Sequence, residues 1–297
     1  MSLHRTLRFI VDHPLNARHK GLAVSRFLRW QVGSRLLPGA VAVPFVDGTV
    51  LLAQPGMEGA TGNIYCGLHE FPDMSFVLHA LRPGDLFVDV GANVGSYTVL
   101  AAGACGADVI SCEPIPAAYR HLQLNIHINE LDDRVRALRV GVGSATGLLR
   151  FTSTFDSMNH VVTGAQESQS PTVQVEVTSL DELLEAEDPY LLKIDVEGYE
   201  TEVVDGASQT LARPNLAAVV MELNGSGGRF GFDESDLHRT MLEFGFDPYT
   251  YDPFSRTLLK AATPTYQAGN VLYVRKAESV RTRLRDAPTR TINRVRF

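Results

Sequence analysis

The stretch Leu86–Ala104 constrains the fold of this 297-residue chain more than any other segment. Leu86–Val90 is a short apolar run broken only by Asp89. It passes through Gly91-Ala92-Asn93-Val94-Gly95 directly into a helical segment, Ser96–Ala104. A buried strand, a glycine turn and a helix form the opening unit of a doubly wound α/β sheet, whose ligand crevice lies beyond the carboxyl ends of the strands. The alternation continues with strands expected at Asp108–Cys112, 135–142, Leu191–Val196 and Ala217–Leu223, and helices at Pro116–Asn129 and near 200–212. The strands at 191–196 and 217–223 are apolar enough to be parallel and covered on both faces.

Other segments decorate that frame. Residues 21–36 alternate apolar side chains with Arg26, Arg29 and Arg35 and read as a basic amphipathic helix. Ala40–Val46 and Thr49–Ala53 flank Asp47-Gly48, a hairpin signal. The glycines in 54–67 predict a loop, and Phe71–Leu81 a helix closed by Arg82-Pro83-Gly84. Ser179 and Glu182 form a capping box. Leu148–Thr152 and Thr172–Val177 read as an inserted hairpin around polar 153–171. Pro248–Tyr251 and Asn270–Arg275 read as a second hairpin. The Arg-rich last twenty or so residues show no periodicity and read as a frayed tail. The expected division is an N-terminal extension at 1–66, a catalytic domain at 67–276 and a flexible basic tail at 277–297.

Apolar residues make up 44% and charged residues 21%, a globular balance that excludes a disordered chain. The net charge of −7 hides a segregation: residues 1–36 and 275–297 each carry +6, and the body between them −19. Cys66, Cys105 and Cys112 form no even framework and no metal-ligand spacing, so a reduced, cytoplasmic compartment is expected. The N-terminus lacks a signal-peptide apolar stretch, and no apolar run is long enough for a membrane span.

The turn itself carries chemistry. A nicotinamide site would place glycines where Asn93 and Ser96 stand, which disfavours a nucleotide-binding oxidoreductase. Asp89 near the strand end suits a cationic ligand better than a phosphate. Glu113, ending the next strand before Pro114, can accept hydrogen bonds from both ribose hydroxyls. An acid beside a sulfonium or amino-acid moiety and another on ribose describe a site for S-adenosylmethionine.

Four blocks now stand in order: Asp89-Val90-Gly91-Ala92-Asn93-Val94-Gly95, Glu113-Pro114, Thr178–Leu184, and Lys193-Ile194-Asp195-Val196-Glu197-Gly198-Tyr199-Glu200. Together, over roughly 67–223, they resemble the FkbM-type methyltransferases. The resemblance implies a class I methyltransferase-like fold with a mostly parallel seven-stranded sheet and helices on both faces. It also implies S-adenosylmethionine-dependent O-methylation, commonly of sugar-like or polyketide hydroxyls. Gly67-Leu68-His69-Glu70 resembles the family's segment before the first core strand, which makes Glu70 a candidate cofactor contact beside Asp89, Gly91, Ala92, Asn93, Gly95, Ser96, Glu113 and Pro114.

Asp195, Glu197 and Glu200 crowd negative charge beside the same crevice, and like charges held close in a partly dry site favour a general base. Asp195 and Glu197 are the first candidates, Glu222 lies one strand along, and His160 sits in the inserted hairpin. Glu200 is better read as capping the following helix, with Lys193 neutralising a carboxylate. Asp195, Glu222 and Asn224 could make an oxygen-rich Mg²⁺ site, ranked below plain carboxylate catalysis. A nucleic-acid methyltransferase is the alternative suggested by the basic ends, but the Asp195–Gly198 position holds no aromatic clamp for a base. The acceptor expected is a small molecule or glycan, selected by 40–70, 153–171 and Gly225–Phe232, with a homo-oligomer possible through the N-terminal helix.

Overall fold

The computed structural model describes residues 3–36, 39–152, 160–162, 171–262 and 269–297. The chain opens with helices α1 (Leu3–Asp12) and α2 (Lys20–Leu36), then the expected hairpin of β1 (Val41–Pro44) and β2 (Val50–Ala53). Residues 54–67 are not a loop: they hold helix α3 (Glu58–Cys66). Its glycines cost helix propensity, about 1 kcal/mol each against alanine, but tertiary packing wins. A Cβ on Gly62 would stand 2.6 Å from the His69 ring, so the helix needs that bare face to lie where it does.

Next come α4 (Phe71–Ala80), β3 (Leu86–Val90) and α5 (Ser96–Val99), which continues as a π-helical turn over Leu100–Ala104. β4 (Asp108–Cys112), α6 (Pro116–Ile128) and β5 (Val135–Leu138) follow. The strand expected over 135–142 ends at Leu138. Residues 141–142 form β6 in a separate three-stranded sheet with β7 (Gly147–Thr152) and β8 (Thr172–Thr178). Gly141 permits the departure, since a Cβ there would lie 3.1 Å from Val177 and 3.2 Å from the Phe151 ring. β7 and β8 pair antiparallel as the inserted hairpin; most of 153–171 lies outside the described residues.

Ser179 caps α7 (Leu180–Leu183) by accepting the Glu182 N–H, ahead of β9 (Leu191–Ile194). The helix expected near 200–212 is two short ones, α8 (Glu200–Asp205) and α9 (Ser208–Ala212), broken at Gly206, where a Cβ would collide with the Gly143 carbonyl. β10 (Ala218–Leu223), α10 (Glu234–Glu243), β11 (Asp247–Asp252), β12 (Thr257–Lys260) and β13 (Gly269–Val274) complete the frame, with α11 (Ala277–Arg285), β14 (Thr291–Ile292) and β15 (Val295–Arg296) at the end.

The main sheet runs β12-β11-β13-β10-β9-β3-β4-β5, with β10, β9, β3, β4 and β5 parallel and β13 reversed. This is the doubly wound class I architecture, with eight strands in place of the expected seven. The second hairpin pairs as predicted, and β12 adds to its outer edge. Two cores cover the faces. Phe87, Val109, Leu191 and Val220 join one; Val88, Val90, Ile110, Leu192, Ile194 and Met221 join the other. The two-residue strand period therefore sends Asp89, Ser111, Lys193 and Glu222 to the first face.

Residues 277–297 are not a frayed tail. Val280 and Leu284 of α11 and Phe297 are buried in the first core. Two arginines of this segment are structural cations. Arg283 pairs with Asp85 and lies 3.9 Å from the Tyr190 ring centroid, and Arg290 pairs with Asp47 and donates to the Ala104 carbonyl. Planar guanidinium forks satisfy several acceptors at once, a role that charge counting along a chain does not register.

Candidate active site

Asp89 lies at the carboxyl end of β3 and is buried. Its Oδ2 accepts from Thr98 Oγ1 at 2.7 Å, and Thr98 Oγ1 in turn lies 2.7 Å from Ser111 Oγ. Its Oδ1 is buried without a hydrogen-bond partner. Burial pushes this carboxyl up, opposed by the charge of Lys193. The turn beyond it is held by its neighbours. Gly91 has φ +80°, and a Cβ there would stand 1.8 Å from the Asp195 carbonyl oxygen, so only glycine lets the ends of β3 and β9 approach. The missing Cβ of Gly95 admits Leu122 of α6, which a Cβ would meet at 2.5 Å.

Glu113 closes the turn from β4. Its Oε2 accepts the Asn93 N–H at 2.9 Å and its Oε1 the Ile115 N–H at 2.8 Å. It is buried, and burial pushes its pKa up to about 7 against the pull of those two donors. Ser96 donates its Oγ hydrogen to the Gly59 carbonyl at 2.8 Å, which ties the turn to α3.

At the end of β9, Lys193 donates to Asp195 Oδ2 at 2.6 Å and sits 4.8 Å from the Tyr97 ring centroid. Burial opposes its charge, but the carboxylates of Asp195, Glu70 and Asp89 outweigh it and hold the ammonium well above its usual range. Burial, then the charge of Asp195, raises Glu197 to about 7. Burial, then Asp195 and Glu197, push Glu222 further up, and its Oε2 has no hydrogen-bond partner. One carboxylate oxygen from each of Asp195, Glu197 and Glu222 lies within 4.8 Å of the others. Glu200 stays apart from them, and it does not cap the following helix as expected: its Oε1 accepts the Val196 and Gly198 N–H groups of the turn before α8.

This corrects the expected metal set. Asn224 is exposed, accepts the Ser226 N–H at 2.9 Å and does not line the cavity; Glu197 occupies the third place. Lys193 already supplies Asp195 with a cation.

These groups surround one cavity of about 510 Å³. Glu70, Asp89, Gly91, Ala92, Asn93, Ser96, Glu113, Pro114, Asp195, Glu197 and Glu222 line it, and Gly95 does not. His160 does not line it either; its carbonyl accepts the Thr152 N–H at the end of β7. Three polar groups behind Glu70 were missed by sequence reasoning. Tyr97 Oη donates to Glu70 Oε2 at 2.7 Å, and Asn270 Nδ2 donates to Glu70 Oε1 at 2.9 Å and to Asp73 Oδ2 at 3.3 Å. Asn270 had one visible signal, being the lone polar side chain in the strand Gly269–Val274 apart from the Tyr273 hydroxyl. The N-terminal helices, expected only to contact acceptor or partner, wall the cavity with Phe9, Trp30, Gln31 and Ser34.

Residues 89–248, more than half of the chain, match the model of the methyltransferase FkbM domain. The chain is 28% identical over 172 residues to the hexuronic acid methyltransferase AglP of Haloferax volcanii, covering 56% of this chain and 65% of that one. It is 27% identical over 172 residues to the methyltransferase sdnD of Sordaria araneosa, covering 47% and 66%. The chain thus spans just under two thirds of the length of these relatives. Among solved structures it is similar to a methyltransferase FkbM from Methylobacillus flagellatus KT, with a TM-score of 0.45 and 15% identity over 73% of this chain and 55% of that chain.

Proposed function

Because the chain belongs to the FkbM methyltransferase family, we propose that it transfers the methyl group of S-adenosylmethionine to a hydroxyl oxygen of a small sugar-like or natural-product acceptor. The observation that carries this reading is the convergence of Asp89, Glu113 and the Asp195–Glu197–Glu222 trio on one cavity at adjacent strand ends. When bound, the cofactor supplies a methyl group already activated by a sulfonium. The chain's groups fit such a molecule. Asp89 Oδ1 is a buried acceptor awaiting a donor or a cation. Each oxygen of Glu113 accepts one main-chain N–H and keeps a lone pair for a ribose hydroxyl. Pro114, Ile115 and Ala118 give an apolar wall beside it, and about 510 Å³ is within the range of small-molecule sites.

For the acceptor, the chain must hold a hydroxyl in line and take its proton. Positioning accounts for several kcal/mol of barrier reduction, on the order of 7 or more in well-oriented cases. A base adds roughly 10²–10⁴ in rate when its pKa is near the working pH. Glu197, raised to about 7, meets that condition. Asp195 has one oxygen committed to Lys193, and Glu222, raised further, retains its proton in neutral solution. The name of the archaeal relative, a hexuronic acid methyltransferase, supports a sugar-like acceptor.

Calorimetry with S-adenosylhomocysteine and with NAD⁺, followed by labelled methyl transfer to a panel of glycosides, tests the reading. Binding of the first ligand and a new methoxyl carbon in the product spectrum are expected. Binding of NAD⁺ alone, or a methyl group on nitrogen or carbon, would overturn it.

A further inference from the structure

Helix α2 is apolar on two opposite faces. Ala23, Phe27 and Trp30 turn inward and are buried. The outer face carries Leu22, Leu28, Val32 and Leu36, which are 40%, 55%, 59% and 76% exposed. At about 100° per residue these four share one side with Gly21, Ser25, Arg29 and Arg35. A helix that only packs on a protein core has a polar outer face. This outer face has large apolar side chains and arginines, and it has no carboxylate.

The charge around it has one sign. Residues 1–36 hold seven basic side chains and one acid, Asp12, which lies 3.5 Å from Arg8 and 3.7 Å from Lys20. Leu3 adds another exposed apolar side chain on α1. Apolar side chains set among cations match a helix lying in the plane of a lipid surface. A second copy of the chain fits less well, because pairing two such faces brings Arg29 against its own kind, with no carboxylate on the face to answer it. No helix among the described residues is long and apolar enough to cross a membrane, so the contact would be superficial.

We propose that the outer face of α2, with the basic residues of α1, docks on an anionic lipid surface. Leu28, Val32 and Leu36 enter the boundary between headgroups and acyl chains, and Arg29 faces the lipid phosphates, whereas Arg35 bonds Gln31 and lines the cavity. The opposite side of the same helix contributes Trp30, Gln31 and Ser34 to the cavity, so one helix separates the lipid surface from the site.

The test is co-sedimentation of the full chain with vesicles of phosphatidylcholine alone and of phosphatidylcholine with phosphatidylglycerol. Binding to the anionic vesicles only, weakened at 0.5 M salt, is expected. R29E should weaken it by roughly fivefold or more, and L28S/V32S by roughly tenfold for each side chain. Both changes are on exposed positions, so thermal unfolding should stay at the wild-type midpoint. No binding to anionic vesicles, or binding undiminished in both variants, would overturn the proposal. So would a dimer in sedimentation velocity that L28S/V32S converts to monomer, since that assigns the face to a second copy.

Discussion

Asp89 and Lys193 are register partners on the adjacent parallel strands β3 and β9, and both side chains line the cavity. They do not bond each other: Asp89 takes the Thr98 hydroxyl and Lys193 takes Asp195. The lysine therefore stands as the one buried ammonium of a wall that also holds Glu70, Asp73, Asp89 and Asp195, and their charges sustain its own. That imbalance of acids over bases favours a cationic ligand, and it exposes the fold to loss of the lysine.

Lys193→Met keeps the volume and removes the charge. It leaves Asp195 and Asp89 without their common cation, and removing one partner of a buried pair costs about 3–5 kcal/mol. Urea unfolding should show a midpoint lowered accordingly with an unchanged slope. A midpoint within experimental error of wild type would show that the carboxylates are already neutral.

The two expected cofactor acids should part in their behaviour. Asp89→Asn keeps the shape and the Thr98 contact but removes the charge next to the unpartnered oxygen position, so affinity for S-adenosylmethionine should fall roughly ten- to hundredfold by calorimetry. Glu113→Gln sets an amide N–H against a main-chain N–H, because both carboxylate oxygens accept from the backbone. It should lose stability as well, by about 1–3 kcal/mol. Equal stability loss in the two variants would contradict this division.

Stability should fall as pH rises through neutrality. Burial raises Asp73, Glu113, Glu197 and Glu200 to about 7, against roughly 3.9–4.3 in the unfolded chain. The folded state holds more protons across that interval, so their contribution is full below about pH 4 and is lost as pH passes 7. Burial lowers His13 and His79 to about 4, which works in the opposite sense but only below about pH 6.5. The decline is thus unopposed by these histidines from about pH 6.5 to 7.5. Urea midpoints measured across that range should drop, and a flat or rising profile would refute the assignment.

The central sheet was legible because its signals are local. Leu86–Val90, Asp108–Cys112 and Leu191–Ile194 are short, mostly apolar runs, interrupted only by Asp89, by Asp108 and Ser111, and by Lys193, whose length and neighbours leave little choice. Their strand-end acids followed from position alone, but the expected cap did not form: Glu200 ties down the N–H groups of the preceding turn instead of the helix it opens. Contacts made across long separations were not legible. Asn270 reaches Glu70 across 200 residues, and Arg290 reaches the Ala104 carbonyl across 186. Asn224 is two residues from a true lining residue, Glu222, but β10 ends at Leu223, and beyond it Asn224 turns outward to accept the Ser226 N–H.

The C-terminal segment illustrates the same point and can be tested. Phe297 packs at 5.2 Å from Phe71 and 5.5 Å from His79, ring to ring, and is buried. Phe297→Ala should cost about 3–5 kcal/mol and lower the thermal midpoint by several degrees. A frayed tail would give no change.

The base can be separated from its neighbours by kinetics. Glu197 and Asp195 both line the cavity, but Asp195 is bonded to Lys193 at 2.6 Å and Glu197 is raised to about 7. If Glu197 takes the acceptor proton, the wild-type rate should rise with pH and level off above about 7, the sign expected of a base that must be ionised. Glu197→Gln should lower kcat by roughly 10²–10⁴ and abolish that inflection, while calorimetric affinity for S-adenosylhomocysteine stays near wild type. Asp195→Asn frees Lys193 instead. It should change stability and acceptor KM along with kcat, and it should keep an inflection but move it below 7, because the charge of Asp195 is part of what raises Glu197. An inflection retained in Glu197→Gln and lost in Asp195→Asn would move the base to Asp195.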